Sequence, residues 1–189
     1  ETRKKNEPTK LVARLLSFIQ KGKALDLGAG DGRNSLFLGE NGFEVTARDQ
    51  ATEGVAKINT LAQENSLPVT AEEKDVRDFT PGENFDVIIS TYVLHHLTRQ
   101  EAEDLMRLMQ EHTSDNGINL ICAYREGSDH CRTDRDVATH FYPHAGEIKE
   151  WYKDWEILEY QEEPAVRLIG PDGVERFNIK VQLLARKKK

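Results

Sequence analysis

Hydrophobic residues along the chain follow two spacings in turn, one typical of strands and one typical of helices. Short apolar runs of strand length occupy residues 23–27, 43–47, 69–73, 85–90, 118–124 and 155–161. Apolar positions at helical spacing occupy residues 11–19, 34–40, 52–65, 98–112 and 146–153. Strands that alternate with helices of this length form a mostly parallel sheet covered on both faces. The pattern therefore predicts an α/β fold with a doubly wound, mostly parallel sheet.

Turn and capping signals refine the predicted boundaries. Thr98 and Glu101 have the spacing of a capping box, which predicts the start of the fourth long helix. An Asn116-Gly117 pair predicts a turn before the fifth strand. Near the end of the chain, the strand-like residues 165–169 and 174–185 flank a Gly-Pro-Asp-Gly sequence. We therefore expect an antiparallel hairpin at the carboxyl end.

Length and composition narrow the class of protein. A chain of 189 residues matches one domain, residues 1–189. Its 26 basic and 33 acidic residues give a net charge of -7, which argues against a nucleic-acid-binding protein. No apolar run approaches the roughly 20 residues of a membrane span. With only Cys122 and Cys131 and no signal-like start, we expect a cytoplasmic protein without a disulfide scaffold. The sequence leaves the oligomeric state open.

A glycine-rich segment follows the first predicted strand and precedes a helix. Gly28, Gly30 and Gly32 stand where the chain must turn sharply and let a ligand approach its backbone. In doubly wound sheets, ligands bind at the carboxyl ends of the strands, beside the switch point of the strand order. The cofactor contacts predicted for this segment are Asp26, Gly28, Ala29, Gly30, Arg33 and Asn34.

Two further acids lie at the ends of the next two predicted strands. Asp49, 19 positions after Gly30, is placed to accept hydrogen bonds from a ribose diol. Asp75 is placed to accept a hydrogen bond from an adenine amino group, and Asp78 is an alternative to it. The predicted set is completed by Gln50, by the backbone N–H of Val76 and by Ser90.

Charge separates two classes of nucleotide cofactor. A carboxylate at Asp26 would repel a pyrophosphate but attract the ammonium and sulfonium groups of S-adenosylmethionine. Arg33 also stands where the dinucleotide pattern requires its third glycine. The residues thus favour S-adenosylmethionine, while an NAD-dependent oxidoreductase and a non-catalytic S-adenosylmethionine-binding module remain as alternatives.

The glycine turn and the strand-end acids resemble those of the class I S-adenosylmethionine-dependent methyltransferase family. The resemblance covers nearly the whole chain and implies a Rossmann-like sheet of seven strands with an antiparallel carboxyl-terminal strand. A closer resemblance, to the tellurite-resistance methyltransferases, is carried by residues 32–36, 41–47, 119–121, 151–155 and 184–187.

The closer resemblance implies an enzyme that transfers a methyl group to a small acceptor and releases S-adenosylhomocysteine. Residues 125–145 are expected to form a loop on the acceptor side. The helix within residues 1–20 is expected to pack against the core, and the wider family resemblance implies that it also covers the cofactor. The chain has Arg167-Leu168 where the tellurite-resistance family carries a His-Arg pair. The acceptor is therefore expected to be either an oxyanion such as tellurite or selenite, or a small organic molecule.

Methyl transfer chiefly requires alignment of the acceptor and exclusion of water, so charge and proton-accepting groups suffice for the acceptor site. The predicted acceptor-site residues are His95, Arg125, His140 and Arg167, with Arg132, Arg135 and Tyr142 as further candidates. His130, Cys131, His140 and His144 cluster in one segment, but their spacing does not match a zinc site, and we predict no metal.

Overall fold

The computed structural model describes residues 7–80, 82–128, 140–164, 168–169 and 175–189. Its strands are β1 (Gly22–Leu27), β2 (Phe43–Asp49), β3 (Val69–Glu73), β4 (Phe85–Thr91), β5 (Thr113–Tyr124), β6 (Glu156–Pro164), β7 (Leu168–Ile169), β8 (Glu175–Arg176) and β9 (Ile179–Arg186). The helices are α1 (Lys10–Leu15), α2 (Arg33–Glu40), α3 (Thr52–Glu64), α4 (Arg99–Glu111) and α5 (Glu147–Trp151). Single 3-10 turns lie at Val76–Asp78 and Leu94–His96.

Seven strands form one mixed sheet in the order β3-β2-β1-β4-β5-β9-β6. Strands β1 to β5 are parallel, and β9 runs antiparallel between β5 and β6. The strand order changes direction at β1, because β2 lies on one side of it and β4 on the other. A crevice therefore opens at the carboxyl ends of β1 and β4, where ligands bind in doubly wound folds. The predicted fold class is confirmed.

Two apolar cores lie on opposite faces of the sheet. One face is covered by α1, α2 and α3, which contribute residues such as Leu11, Leu38 and Ile58. The other face is covered by α4 and α5, which contribute residues such as Leu105 and Ile148. Among the helices of the described ranges, none is long and apolar enough to cross a membrane.

Two predicted boundaries are wrong. Helix α1 ends at Leu15, and a turn carries the chain on to Phe18 and Ile19, which still pack against the core. Strand β5 begins at Thr113 instead of residue 118. Asn116 does adopt the left-handed turn conformation, with φ of 62°, but it lies within an irregularity of the strand where the register with β4 shifts. A turn residue can thus be absorbed as a bulge when the flanking residues keep their pairing.

The carboxyl-terminal hairpin is longer than predicted. Strands β6 and β9 pair from Glu156↔Arg186 to Pro164↔Ile179, and β7 and β8 continue the hairpin. The turn at residues 170–173 lies outside the described residues.

The ammonium of Lys187, just after β9, donates to the carbonyl oxygens of Gln110 (2.9 Å) and Thr113 (2.8 Å). The bond to Gln110 occupies a carbonyl group that the last turn of α4 leaves without a helical partner, and the bond to Thr113 reaches the start of β5.

Candidate functional site

The glycine turn is tied to β2 by its backbone. The N–H groups of Gly28 and Ala29 both donate to the carbonyl oxygen of Arg48, at 2.8 and 3.0 Å. A methyl group added at Gly28 would lie 2.3 Å from a methyl carbon of Val93. Because the segment that follows β4 packs this closely on the turn, any larger residue at position 28 would push the two apart.

Asp49 connects the glycine turn to the start of α3. Its carboxylate oxygens accept hydrogen bonds from the N–H of Gly30 at 2.7 Å and from the N–H of Ala51 at 2.9 Å. Gly30 has a φ of +58°, and a Cβ built there would meet none of the described residues within 4 Å. Asp49 therefore shapes the turn around an open space, and each of its oxygens keeps a lone pair for a ligand.

Asp26 lies beneath the turn and is fully buried. One carboxyl oxygen accepts a hydrogen bond from the hydroxyl of Ser35 at 2.6 Å, and the other, Oδ1, has no hydrogen-bond partner among the described residues. Burial, with a smaller contribution from the charge of Asp49, raises the pKa of the Asp26 carboxyl to about 7. Ser35 and Arg33 oppose that rise. The group predicted to attract a cation is thus readily protonated at neutral pH.

Asn34 is buried, with 3% of its surface exposed, and its amide is engaged within the protein. Its oxygen accepts from the N–H of Thr9 at 2.9 Å, and its nitrogen donates to the hydroxyl of Thr91 at 3.0 Å. Thr9 immediately precedes α1, and Thr91 ends β4. The predicted cofactor residue Asn34 therefore joins α1, α2 and β4, while its neighbour Arg33 is half-buried at the start of α2.

A cavity of about 410 Å³ opens beside the ends of β2 and β3. Its lining residues are Gln50, Glu73, Lys74, Asp75 and Asp78. The carboxylate of Asp75 accepts from Nε and from the backbone N–H of Arg77, both at 2.9 Å, and contacts Nη2 as well. These bonds from Arg77 lower the pKa of the Asp75 carboxyl. Both candidate acids of the predicted adenine site thus line one cavity, with Val76 half-buried next to Asp75.

Aromatic side chains gather at the ends of β4 and β5. His95 is buried, and its ring centroid lies 4.0 Å from that of His96, 5.4 Å from that of Tyr124 and 6.3 Å from that of Tyr142. Tyr92 lies 5.0 Å from Tyr124. The structure therefore surrounds the predicted residue His95 with other rings at the mouth of the crevice.

The remaining predicted acceptor-site residues are placed less closely together. Arg125 forms an ion pair with Glu162 at 3.4 Å, with 23% and 18% of the two side chains exposed. His140 is half-buried, and the N–H of the next residue, Phe141, donates to the carbonyl oxygen of Leu97 at 2.7 Å. This bond brings the segment that contains His140 onto the connection after β4. Arg132, Arg135 and Arg167 lie outside the described residues.

Ser90 is fully buried near the end of β4, and its hydroxyl has no hydrogen-bond partner in the described ranges. In those ranges, no group of three or more His, Cys, Asp or Glu residues could hold a metal ion. His130 and Cys131, two of the four residues considered as a zinc site, lie outside the described ranges.

The sequence analysis missed four residues that contact either a predicted site residue or, for Tyr92, the neighbour of one. They are Ser35, Thr91, Tyr92 and Tyr124. Tyr92 and Tyr124 could have been found by the rule that located Asp49 and Asp75, because each stands at the carboxyl end of a parallel strand. Thr91, which ends β4, could have been found by the same rule, whereas Ser35 gave no comparable signal, since its partner Asp26 is reached only through the folded chain.

Comparison with known proteins identifies relatives over most of the chain. The family model described as tellurite resistance protein TehB matches residues 3–181. A protein of Haemophilus influenzae named "Probable S-adenosyl-L-methionine-dependent methyltransferase TehB" is 36% identical over 172 residues, which are 90% of this chain and 59% of that protein. This chain thus spans about three fifths of the length of that relative.

Solved structures agree with these sequence matches. The crystal structure of TehB from Haemophilus influenzae has a TM-score of 0.84 and 33% identity, and the match covers 95% of this chain and 62% of that one. The N-methyltransferase NodS from Bradyrhizobium japonicum, solved with S-adenosyl-L-homocysteine, has a TM-score of 0.74 at 17% identity, covering 95% and 85% of the chains. The second match shows a shared fold. By its family model and its sequence relatives, this chain belongs to the tellurite resistance protein TehB family.

Proposed function

We propose that the chain is an S-adenosylmethionine-dependent methyltransferase that acts on a small acceptor. The observation that carries the proposal is the hydrogen bond between Asp49 and the N–H of Gly30, which shapes an open turn at the switch point of the sheet. The name of the Haemophilus influenzae relative supports the same activity. An acid at this position is suited to bind the hydroxyl groups of a ribose.

The residues at the turn fit S-adenosylmethionine. Space is open beside Gly30, and Asp26 keeps one buried oxygen that lacks a hydrogen-bond partner in the described part of the chain. A cation bound near Asp26 would stabilise its ionised form. Three of the five residues that line the cavity beside Asp75 are acids, whose carboxylates suit the amino group of an adenine as hydrogen-bond acceptors.

Each residue then has a separate role in binding. Asp49 accepts from the ribose hydroxyls, and Asp75 or Asp78 accepts from the adenine amino group while the N–H of Val76 donates to the ring. Asp26 balances the positive charge of the methionine portion. Asn34 acts indirectly, because its amide holds α1 against the end of β4. The remaining proposed contacts are Gly28, Ala29, Arg33, Gln50 and Ser90.

Bound S-adenosylmethionine supplies a methyl group on a positively charged sulfur, and S-adenosylhomocysteine is the product. The protein needs to hold the acceptor in line with that group and to exclude water. His95, at the mouth of the crevice, and His140 are proposed to orient the acceptor or accept its proton. Arg125 and Arg167 are proposed to hold an acceptor that is an oxyanion, such as tellurite or selenite.

Titration calorimetry with S-adenosylmethionine, S-adenosylhomocysteine and NAD tests the cofactor. We expect both adenosyl ligands to bind the wild type and NAD not to bind. In Gly30→Ala, a methyl group enters the open space of the turn, so we expect the affinity for S-adenosylhomocysteine to fall by roughly tenfold or more. Binding of NAD without binding of the adenosyl ligands would contradict the proposal.

Gly146→Ala is the matched control for the glycine substitution. Gly146 also has a left-handed backbone, with φ of +78°, and a Cβ there likewise meets none of the described residues within 4 Å. Both variants should therefore lose similar stability on thermal unfolding, because alanine is strained in this conformation. Only Gly30→Ala should lose affinity for the ligand, and equal losses of affinity would show that strain alone is responsible.

A further inference from the structure

Tyr92 has a backbone conformation that is rare for a bulky residue. Its φ is +61°, in the left-handed region, immediately after β4. Within the described residues, the other non-glycine positions with positive φ are Ser66 and Asn116, which have small polar side chains. Asparagine tolerates this region, whereas an aromatic residue is strained there. Such strain persists only where the surrounding structure holds it, and it is concentrated at functional sites.

Contacts on both sides hold Tyr92 in this conformation. Its N–H donates to the carbonyl oxygen of Cys122 in β5 at 2.7 Å. The next residue, Val93, has a methyl carbon within 2.3 Å of where a Cβ on Gly28 would stand. Tyr92 therefore sits between the end of β5 and the glycine turn, at the mouth of the crevice.

The Tyr92 ring belongs to a connected group that we call the aromatic cluster, formed by Tyr92, His95, Tyr124 and Tyr142. Consecutive ring centroids are separated by 5.0 Å (Tyr92 to Tyr124), 5.4 Å (Tyr124 to His95) and 6.3 Å (His95 to Tyr142). These are the separations at which aromatic rings attract each other. Tyr92 and Tyr124 are half-buried, while His95 and Tyr142 are buried, so the two tyrosines form the outer side of the cluster.

Charge near the aromatic cluster is largely balanced. Arg125, which directly follows Tyr124, forms an ion pair with Glu162, and both side chains are mostly buried. Glu162 also accepts hydrogen bonds from the hydroxyl of Tyr160 and from the N–H of Gly146. The aromatic cluster itself therefore offers ring faces, tyrosine hydroxyl groups and the imidazole of His95.

We infer that the rings of Tyr92 and Tyr124 bind the acceptor, and that the acceptor is a small molecule with a planar unsaturated group that stacks on them. The inference rests on the proposed methyl transfer and names its substrate class. A planar acceptor fits because ring stacking fixes its plane, and a fixed plane aligns the accepting atom for an in-line transfer.

Steady-state methylation assays of Tyr92→Gly test this role. Thiophenol, catechol and imidazole serve as planar probes, and sodium tellurite and sodium selenite as non-planar oxyanions. We expect the wild type to turn over at least one planar probe. In Tyr92→Gly, the KM for that planar probe should rise by roughly tenfold or more, since stacking of one ring is lost. Tyr92→Phe, which keeps the ring, should retain a KM within about threefold of the wild type.

Two further measurements separate acceptor binding from other roles of the ring. The affinity for S-adenosylhomocysteine should stay within about twofold in Tyr92→Gly, because the ring contacts the acceptor and not the cofactor. The melting temperature should stay within about 4 °C, because release of backbone strain offsets the lost ring contacts. Tyr124→Leu, which removes the plane but keeps apolar volume, should raise the KM in the same way.

Ser66→Gly is the matched control for release of strain. Ser66 has a φ of 52° beyond the end of α3, and glycine there should raise the melting temperature by about 2 to 4 °C without any change in KM.

Three outcomes would each overturn the inference. The first is that the wild type turns over only oxyanions, or no planar probe. The second is an unchanged KM in both tyrosine variants, and the third is a parallel loss of S-adenosylhomocysteine affinity. A wild type that binds no adenosyl ligand would instead refute the proposed function.

Discussion

The carboxyl ends of β1, β2 and β3 carry acids and turn amides, whereas the carboxyl ends of β4 and β5 carry aromatic rings. We call these regions the cofactor half and the acceptor half of the site. In the cofactor half, the contacts that define the site join residues that are close in the sequence. Gly30 and Asp49 are 19 residues apart, and Asp75 and Arg77 are two apart. In the acceptor half, Tyr92 meets Tyr124 and Arg125 meets Glu162 only through the fold.

Because of this difference, cofactor binding and acceptor binding can change independently of each other. The cofactor half presents backbone N–H groups and carboxylates whose positions depend on one turn and three adjacent strands. The acceptor half depends on side chains from several elements, including the segment around Phe141 that hydrogen-bonds to Leu97. We therefore expect substitutions in the cofactor half to change cofactor affinity or, at its buried acid, stability, and substitutions in the acceptor half to change stability or acceptor use.

The largest effect is expected from the buried acid of the cofactor half. Because the pKa of Asp26 is raised to about 7, its favourable contribution to stability is fully present below about pH 4 and is lost as the pH rises through 7. Asp26→Asn removes this ionisation. Between pH 4.5 and pH 8, the free energy of unfolding of the variant should therefore rise relative to the wild type, by on the order of 1 to 4 kcal/mol.

Urea unfolding at the two pH values measures this difference. Asp31→Asn is the control, because Asp31 lies in the same turn but its side chain is 48% exposed. Its stability should follow the wild type at both pH values. If Asp26→Asn and the wild type lose stability in parallel, the buried carboxyl is not the source of the pH dependence.

A smaller effect is expected for the acid that holds the turn. Asp49→Ala removes the acceptor of the N–H groups of Gly30 and Ala51, together with the proposed ribose contact. The affinity for S-adenosylhomocysteine should fall by about 1 to 3 kcal/mol, which calorimetry can measure. Glu64→Ala, at the exposed end of α3, should leave the affinity unchanged. Unchanged affinity in Asp49→Ala would break the assignment of this half to the cofactor.

A still smaller effect is expected beneath the acceptor half. The buried hydroxyl of Tyr152 is hydrogen-bonded to the amide nitrogen of Asn119 at 3.0 Å, and Thr113 lies 2.6 Å from the amide oxygen. Tyr152→Phe leaves the Asn119 amide short of one partner, so the free energy of unfolding should fall by about 1 to 2 kcal/mol in urea. Affinity for S-adenosylhomocysteine should not change, and a loss of affinity would show that the two halves are coupled.

Tyr160→Phe provides the comparison for Tyr152→Phe. The hydroxyl of Tyr160 contacts Glu162 at a half-buried position, where water can replace part of the lost bond. Its loss of stability should be below about 1 kcal/mol. Equal losses in the two variants would mean that burial does not determine the cost of removing these hydroxyl groups.

Much of the fold could be predicted from local patterns. The capping box of Thr98 and Glu101 forms as predicted at the start of α4, because both of its hydrogen bonds lie within four residues. The predicted length of α1 and the predicted start of β5 were wrong, because packing and strand pairing with distant residues determine where these elements end and begin. The predicted placement of Asp49 and Asp75 at neighbouring strand ends follows from the parallel register of β2 and β3.

Local sequence patterns are enough to predict the alternation of strands and helices, the glycine turn and the acids that follow the strands. These depend on hydrophobic spacing and on backbone preferences that act over a few residues. Three features emerge only in the folded protein: Asn34 binds Thr9 and Thr91, Asp26 is buried away from water, and Tyr92 is held in a left-handed conformation. Each of these depends on contacts between elements distant in sequence, which arise only when the sheet assembles.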